Sequence, residues 1–371
     1  MSTSRILQII PSLDRAGAEK QLTLLASRLP RDEVDGHACA QTCGGPSEKD
    51  LPEAGISVQL IGKHWKVDPV AFWKLLELVR KLQPDLVQTW LFSANAYGRA
   101  AARLAGVRSI VASEQCADSW KGWHQLATDR LLAAHTSKIV VNGSGVRDFY
   151  IANGIDPEKI ALIPNGIAPH QPGDRTREQI LAELSLPADA KLVGAIGRLW
   201  PQKRIRDVIW AGELLTVVRD DVHVIIIGDG PERHRLERFR NNVQLRGRVH
   251  FLGHRNDVPQ WIEHFDAVWL ASAYEGLPNV IMEAMAAGVP VVATDIPGNR
   301  DLVVHNKTGY LYPVGDRAAL AGWTNQLLEN RDEAQSMGSA AQEALAGNYE
   351  IQSMVDQHAD LYRELLNQPV R

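Results

Sequence analysis

The sequence predicts an α/β chain of two domains, each built on a doubly wound parallel sheet, and three observations carry that prediction. A length of 371 residues amounts to about two domains at roughly 150 residues each. Short runs rich in Val, Ile and Leu alternate from end to end with stretches whose apolar residues fall at helical spacing, the pattern of strand-helix-strand units and parallel sheets. Residues 168–175, polar and holding two prolines and a glycine, defeat both regular structures and separate two such series.

The first series opens with a strand at 5–10, turns through Pro11 to Gly17 and enters a helix from Ala18 whose Leu22, Leu25 and Leu29 share one face. Further strands are expected at 58–61, 86–89, 109–112, 138–141 and 160–163. The second series has strands at 191–196, 223–227, 249–252, 267–270 and 289–293, with a last one near 310–312. An amphipathic helix follows at about 350–366, and its own pattern does not say where it docks.

Composition narrows the function classes. Hydrophobic residues at 45% and charged residues at 23% suit a globular chain and exclude disorder. A net charge of −4 gives no footprint for nucleic acid. Three cysteines, Cys39, Cys43 and Cys116, form neither a disulfide framework nor a zinc pattern, which fits a reducing compartment. With no secretory leader pattern and no apolar run near the ~20 residues of a bilayer span, a cytoplasmic chain is expected.

Ligands of open parallel sheets sit beyond the carboxyl ends of the strands, so the strand-to-helix loops are where chemistry is sought. In residues 273–283, Pro278 suits the first turn of a helix that Gly288 and Pro290 end. The loop before it presents backbone N–H groups, and Glu275 with Glu283 can accept hydrogen bonds from hydroxyls. A capping carboxylate and a solvated helix glutamate would give the same two letters. In Gly197-Arg198-Leu199-Trp200-Pro201-Gln202-Lys203, the planar donors of Arg198 and the compact charge of Lys203 could neutralise a diphosphate, although a solvent-facing basic turn has the same composition. Gly228-Asp229-Gly230-Pro231-Glu232-Arg233 fails as a dinucleotide fingerprint because Arg233 stands where glycine or alanine is needed. Gly17 permits close backbone approach at a helix start, or is simply a turn residue. His250 and His254 lack the further ligands of a metal site, no D-x-D triplet occurs, and no metal is expected.

Taken together, Gly197-Arg198 with Lys203, the Phe251-Leu252-Gly253-His254 strand end, and Glu275-x7-Glu283 followed by Ala284-Met285-Ala286-Ala287-Gly288-Val289-Pro290-Val291 resemble the retaining nucleotide-sugar glycosyltransferases of the GT-B kind, the family 4-like, group 1 enzymes. The likeness is densest over about 190–312; the first domain adds the glycine loop, the strand pattern and the Ile163-Pro164-Asn165-Gly166 turn. It implies two Rossmann-like domains facing across a cleft. Residues 1–170 would bind the acceptor, joined by a terminal helix, 350–371, that crosses back to them, and 175–349 would bind the donor. It further implies that Arg198 and Lys203 hold the donor diphosphate, Glu275 the hexose hydroxyls and Glu283 the ribose hydroxyls. Backbone groups at Gly276, Leu277, Pro278, Asn279 and Val280 would face sugar and phosphate. The base would sit at Leu252, Gly253 and His254, and Gly17 would approach the donor. Arg198, Lys203 and Glu275 would be the catalytic set, with no metal.

The implied activity moves a hexose-type sugar, with retention, from a nucleoside-diphosphate sugar to a glycan or lipid-linked acceptor. A UDP-sugar is favoured as donor, a GDP-sugar is the alternative, and no further cofactor is required. Family members carry a histidine near the end of a first-domain strand, whereas here Ser109-Ile110-Val111-Ala112-Ser113 runs into Glu114 and Gln115, and His124 lies too far along to replace it. Glu114 is therefore either a contact for sugar or acceptor or a helix-capping carboxylate. Lys63-His64-Trp65-Lys66 and Trp120-Lys121-Gly122-Trp123 suit sugar stacking or peripheral contact with a membrane, or else turn their tryptophans into the core. A nucleotide-sugar epimerase and a silent sugar-nucleotide-binding module are the alternatives.

Overall fold

A computed structural model describes residues 3–14, 17–45 and 47–367. Arg15 and Ala16 of the first glycine loop, and the 368–371 end of the expected terminal helix, lie outside the described residues. Contacts divide the described residues into two compact units: those up to Gly166 together with those from Asn348, and Ile167–Gly347.

The first unit contains strands β1 (Ser4–Ile10), β2 (Val34–Ala40), β3 (Ser57–Leu60), β4 (Leu86–Trp90), β5 (Ser109–Glu114), β6 (Lys138–Val141) and β7 (Ile160–Leu162). Among the described residues they form a seven-stranded parallel sheet in the order β3-β2-β1-β4-β5-β6-β7. The second unit contains β8 (Lys191–Ile196), β9 (Val222–Ile227), β10 (Val249–Gly253), β11 (Ala267–Leu270), β12 (Val291–Thr294) and β13 (Tyr310–Tyr312). These form a six-stranded parallel sheet in the order β10-β9-β8-β11-β12-β13. Both orders reverse direction once, between β1 and β4 and between β8 and β11, and that switch point is where a doubly wound sheet opens a crevice for ligand.

Helices cover both faces of a parallel sheet, so its strands are apolar almost throughout. Every residue of β9 is buried, from Val222 to Ile227. The strand β2 has no counterpart among the sequence expectations. Its Val34-Asp35-Gly36-His37-Ala38-Cys39-Ala40 lacks the β-branched run that marks the others, yet Ala38, Cys39 and Ala40 are fully buried between β1 and β3. There small side chains suffice, and burial pushes the Cys39 thiol up to about 12. In β12, Pro290 stays outside the strand, consistent with its missing N–H.

The terminal helix, Ile351–Asn367, packs Met354, Val355, Leu361, Tyr362 and Leu365 into the core beneath β1 and β4. A buried polar chain fixes its register. Trp90 Nε1 donates to Gln8 Oε1 at 2.7 Å, Gln8 Nε2 donates to the Tyr362 hydroxyl at 3.1 Å, and that hydroxyl donates to Gln88 Oε1. Gln88 Nε2 then reaches Ser113 Oγ at 2.6 Å. An unmade bond in such a setting costs about 1–3 kcal/mol, so sliding the helix by one turn is opposed by several of these at once.

Candidate functional site

In the second unit, the carboxyl ends of β8, β9, β10, β11 and β12 all lie on one edge of the sheet, because the strands are parallel. The loops that leave them are stitched together by backbone. Leu199 N–H donates to Asp229 O at 2.9 Å, and Gly228 N–H donates to Gly253 O at 2.8 Å. Ala273 N–H donates to Gln202 O at 2.9 Å, and Gln202 Nε2 returns a bond to Tyr274 O at 2.7 Å. Beside them, Thr294 Oγ1 donates to Ser272 O at 2.7 Å. Gln202 and Thr294 were not singled out in the sequence, since each works through a main-chain oxygen some twenty or more positions away.

Lys203 ends a 3-10 turn, Pro201–Lys203, and its ammonium pairs with Glu275 in the loop after β11. The two therefore meet at the β8/β11 switch point. Glu275 keeps only 9% of its side chain exposed and Lys203 17%, so the charges are sheltered without being sealed. Arg198, directly after the β8 loop glycine, is exposed, makes no ion pair among the described residues, and holds its guanidinium 5.8 Å from the Trp200 ring. One cation is thus already matched and the other is open to an anion.

The segment from Gly276 to Val280 offers main chain. Leu277, Pro278 and Val280 turn their side chains into the core. The helix Asn279–Ala286 starts one residue later than the sequence suggests, with Pro278 as a cap that has no side-chain acceptor, which leaves the amide donors of the first turn directed out of the helix end. A Cβ on Gly298 would sit 1.7 Å from Gly276 O, so only glycine lets the Pro297–Arg300 turn close against this loop. Glu283 is half-buried one turn inside the same helix.

Leu252 and Gly253 end β10 at an irregularity in its pairing with β9, and Gly253 takes φ +72°, which favours glycine. His254 follows and is exposed. Arg233, which rules out the dinucleotide fingerprint, is occupied by Asp229 at 3.0 Å and Glu237 at 2.9 Å.

The first unit holds the remaining expected residues. Gly17 starts the helix Gly17–Arg28 that follows β1. Glu114, the last residue of β5, is buried and is not a helix cap. It lies 3.6 Å from the ammonium of Lys121, whose side chain is wholly buried against Asp129 at 2.9 Å, Asp118 at 3.6 Å and the Tyr150 hydroxyl. Arg99 pairs with Asp129 from the far side at 2.7 Å. Burial raises the Glu114 carboxyl above its ordinary range, and Lys121 only partly offsets this.

Lys121 is thus turned inward while its neighbours Trp120 and Trp123 are turned out, which corrects the expectation of tryptophans facing the core. Trp120 stands edge-on to Phe92 at 5.7 Å. In the other tryptophan loop, Lys63 also turns in, onto Ser93 at 2.9 Å, and Trp65 points out with 68% exposure. Among the described residues no three His, Cys, Asp or Glu side chains gather as a metal-binding group, and no helix is long and apolar enough to cross a membrane.

Residues 176–344 match the family model of glycosyl transferases group 1, and residues 15–171 match that of glycosyltransferase family 4. The chain is 29% identical over 79% of its length, and 78% of the relative's, to the UDP-Gal:alpha-D-GlcNAc-diphosphoundecaprenol alpha-1,3-galactosyltransferase of Escherichia coli. It is 31% identical to the N-acetyl-alpha-D-glucosaminyl L-malate synthase of Bacillus anthracis, over about half of each chain, 52% and 50%. A crystal structure of Anabaena HepE in complex with UDP and glucose superposes with a TM-score of 0.87 at 25% identity, covering 97% of this chain and all of that one. The chain belongs to the family 4-like, group 1 glycosyltransferases and has their GT-B fold.

Proposed function

We propose that this glycosyltransferase moves a hexose-type sugar, with retention of configuration and without a metal, from a nucleoside-diphosphate sugar to a glycan or lipid-linked acceptor. The observation that carries the reading is the Lys203–Glu275 pair at the β8/β11 switch point with the open guanidinium of Arg198 on the same loop as Lys203. The complexes of HepE with UDP and glucose, and the UDP-galactose named for the Escherichia coli relative, favour a UDP-sugar, with a GDP-sugar as the alternative. The second unit takes the donor and the first the acceptor.

In this reading Arg198 grips phosphate oxygens with two parallel N–H groups and Lys203 adds a point charge. The bond between sugar and diphosphate breaks as negative charge collects on the leaving oxygen, and these cations with the first-turn amides of the helix Asn279–Ala286 stabilise that charge. The departing diphosphate then receives the acceptor's proton, so no strong protein base is needed. Glu275 accepts from hexose hydroxyls, Glu283 from ribose hydroxyls, and main chain at Leu252 to His254 seats the base.

Four exposed apolar residues in the first unit, Trp65, Val67, Val70 and Trp73, lie on one loop and the start of the helix Pro69–Leu82, flanked by Lys66 and Lys74. Tryptophan beside lysine suits a headgroup boundary, so the chain works in the cytoplasm with peripheral contact to a membrane bearing its acceptor.

Thermal-shift titration with UDP, GDP and ADP and their sugar conjugates tests the donor site. A bound ligand at about 100 times its Kd stabilises by about 2.7 kcal/mol. One base giving a shift that vanishes in the Arg198→Ala, Lys203→Ala double variant supports the reading; no shift at millimolar ligand sinks it. Proton NMR of the product anomer reads retention, and turnover after EDTA treatment reads the metal. Loss of binding to anionic vesicles in Trp65→Ser, Trp73→Ser tests the membrane face.

A further inference from the structure

We propose that a groove on the outer surface of the second unit binds an anion carrying a phosphate group on an apolar or ring-shaped body. Neither the transfer reaction nor any role given above uses it. The groove, about 370 Å³, lies between the helices Ile205–Val218 and Arg233–Asn242 and is lined by Arg206, Arg235 and Arg238 around Leu236 and Phe239. Three guanidiniums face one carboxylate there, Glu232, which Arg235 meets at 3.2 Å. Arg238 is exposed and has no partner among the described residues.

The cations are partly set in place before any ligand arrives. Arg206 stacks its guanidinium 4.5 Å over Phe239, Phe239 meets Trp210 at 5.4 Å, and Arg317 lies 5.8 Å over the far ring. This row of two rings held between two cations, crossing from one helix to the other, limits the freedom of Arg206 and so lowers what an anion must spend to order it. Arg233 and Arg240, on the same helix, are already engaged, by Asp229 and Glu237 and by Asn241 and Val249 O. An excess of planar donors selects phosphate oxygens, and the half-buried Phe239 beside buried Leu236 selects an apolar or ring-shaped remainder. A soluble phosphate monoester and a phosphomonoester lipid headgroup share that chemistry.

The test uses the full chain carrying Arg198→Ala and Lys203→Ala, so that the strand-end site does not compete. Calorimetric titration with phenyl phosphate, and sedimentation with phosphatidylcholine vesicles with and without phosphatidic acid, are repeated after adding Arg206→Gln, Arg235→Gln and Arg238→Gln. All three positions are exposed, and an unchanged thermal unfolding midpoint confirms the fold. Phenyl phosphate binding that weakens about tenfold or more with the three glutamines supports a soluble ligand. Binding to phosphatidic acid vesicles alone, lost in the same variant, supports a lipid source. Absence of both, or binding that the three glutamines leave unchanged, overturns the proposal. None of these outcomes depends on sugar transfer, so it stands or falls apart from the donor reading.

Discussion

At the carboxyl end of β5, Lys121 lies without exposed side-chain surface among three carboxylates and a phenol, whereas beyond β8 Arg198 stands in solvent and Lys203 keeps one carboxylate partner. The two sheets share their strand order apart from the additional β7, but β8 borders its switch point whereas β5 lies one strand beyond the β1/β4 switch point. What also differs is whether the charges are already satisfied. A saturated buried cluster can only hold its loop, here the one bearing exposed Trp120 and Trp123. An open cation beside a sheltered pair can still gain a ligand.

The largest effect expected from breaking this contrast is on stability at Lys121. Lys121→Met leaves Asp129, Asp118 and Glu114 without their shared cation, and uncompensated buried charge costs about 3–5 kcal/mol. The unfolding midpoint falls accordingly, and the folded fraction still shows the nucleotide shift of the second unit. An unfolding curve that barely moves would mean that the cluster is not the lock described.

Arg198→Ala and Lys203→Ala invert the pattern. Each loses about 100- to 1,000-fold in kcat if it stabilises the leaving diphosphate. Unfolding of Arg198→Ala stays within about 0.5 kcal/mol, because its side chain is exposed and makes no ion pair among the described residues. A loss of stability as large as that of Lys121→Met would erase the distinction between the two edges.

The terminal helix carries the next effect. His358 is buried against Trp90 at 6.4 Å, and burial lowers its pKa from 6.5 to about 4. The folded state therefore binds fewer protons than the unfolded state between these values. This contribution is intact above pH 6.5 and is lost as pH falls, the loss reaching about 3 kcal/mol once pH drops below 4. His250 in the second unit is lowered to about 4 as well, mainly by burial, but is less enclosed. His358→Phe and His250→Phe should each flatten the acid limb of the stability curve; an acid limb that neither substitution changes would place acid sensitivity elsewhere.

Much of this was legible in the sequence where it rests on short-range pattern. Runs such as Val224 to Ile227 announce a strand buried on both faces, and the spacing of Pro278, Glu283 and Gly288 announces a helix with an amide-rich start. β2 escaped because Gly36, His37, Ala38 and Ala40 carry no strand preference and are strand only through their neighbours. The Lys121 cluster escaped for a related reason. Its members Arg99, Glu114, Asp129 and Tyr150 come from four separate elements; Glu114 reads alone as a ligand contact or a helix cap, and the other three carry no signal of their own. The side to which Trp65, Trp120 and Trp123 turn is also set by what the adjacent lysines find inside.

The smallest effect sharpens the comparison most, because it asks whether the cluster is neutral. Arg99 and Lys121 balance Asp118 and Asp129, which leaves a charged Glu114 without a counter-ion. Burial is the main cause that raises its carboxyl, with Asp129 and Asp118 adding to it and Lys121 and Arg99 opposing. An acid raised on folding keeps its proton in the folded state after the unfolded chain has released it. Stability then declines as pH rises above about 4.5, by about 1.4 kcal/mol for each pH unit over which the two states differ by a full proton. Glutamine has nearly the same shape and does not titrate. In paired unfolding measurements from pH 5 to pH 8, Glu114→Gln should gain steadily on the natural chain. If it loses ground instead, Glu114 is charged against Lys121, and the cluster at β5 holds an unbalanced charge, as the open edge at β8 does.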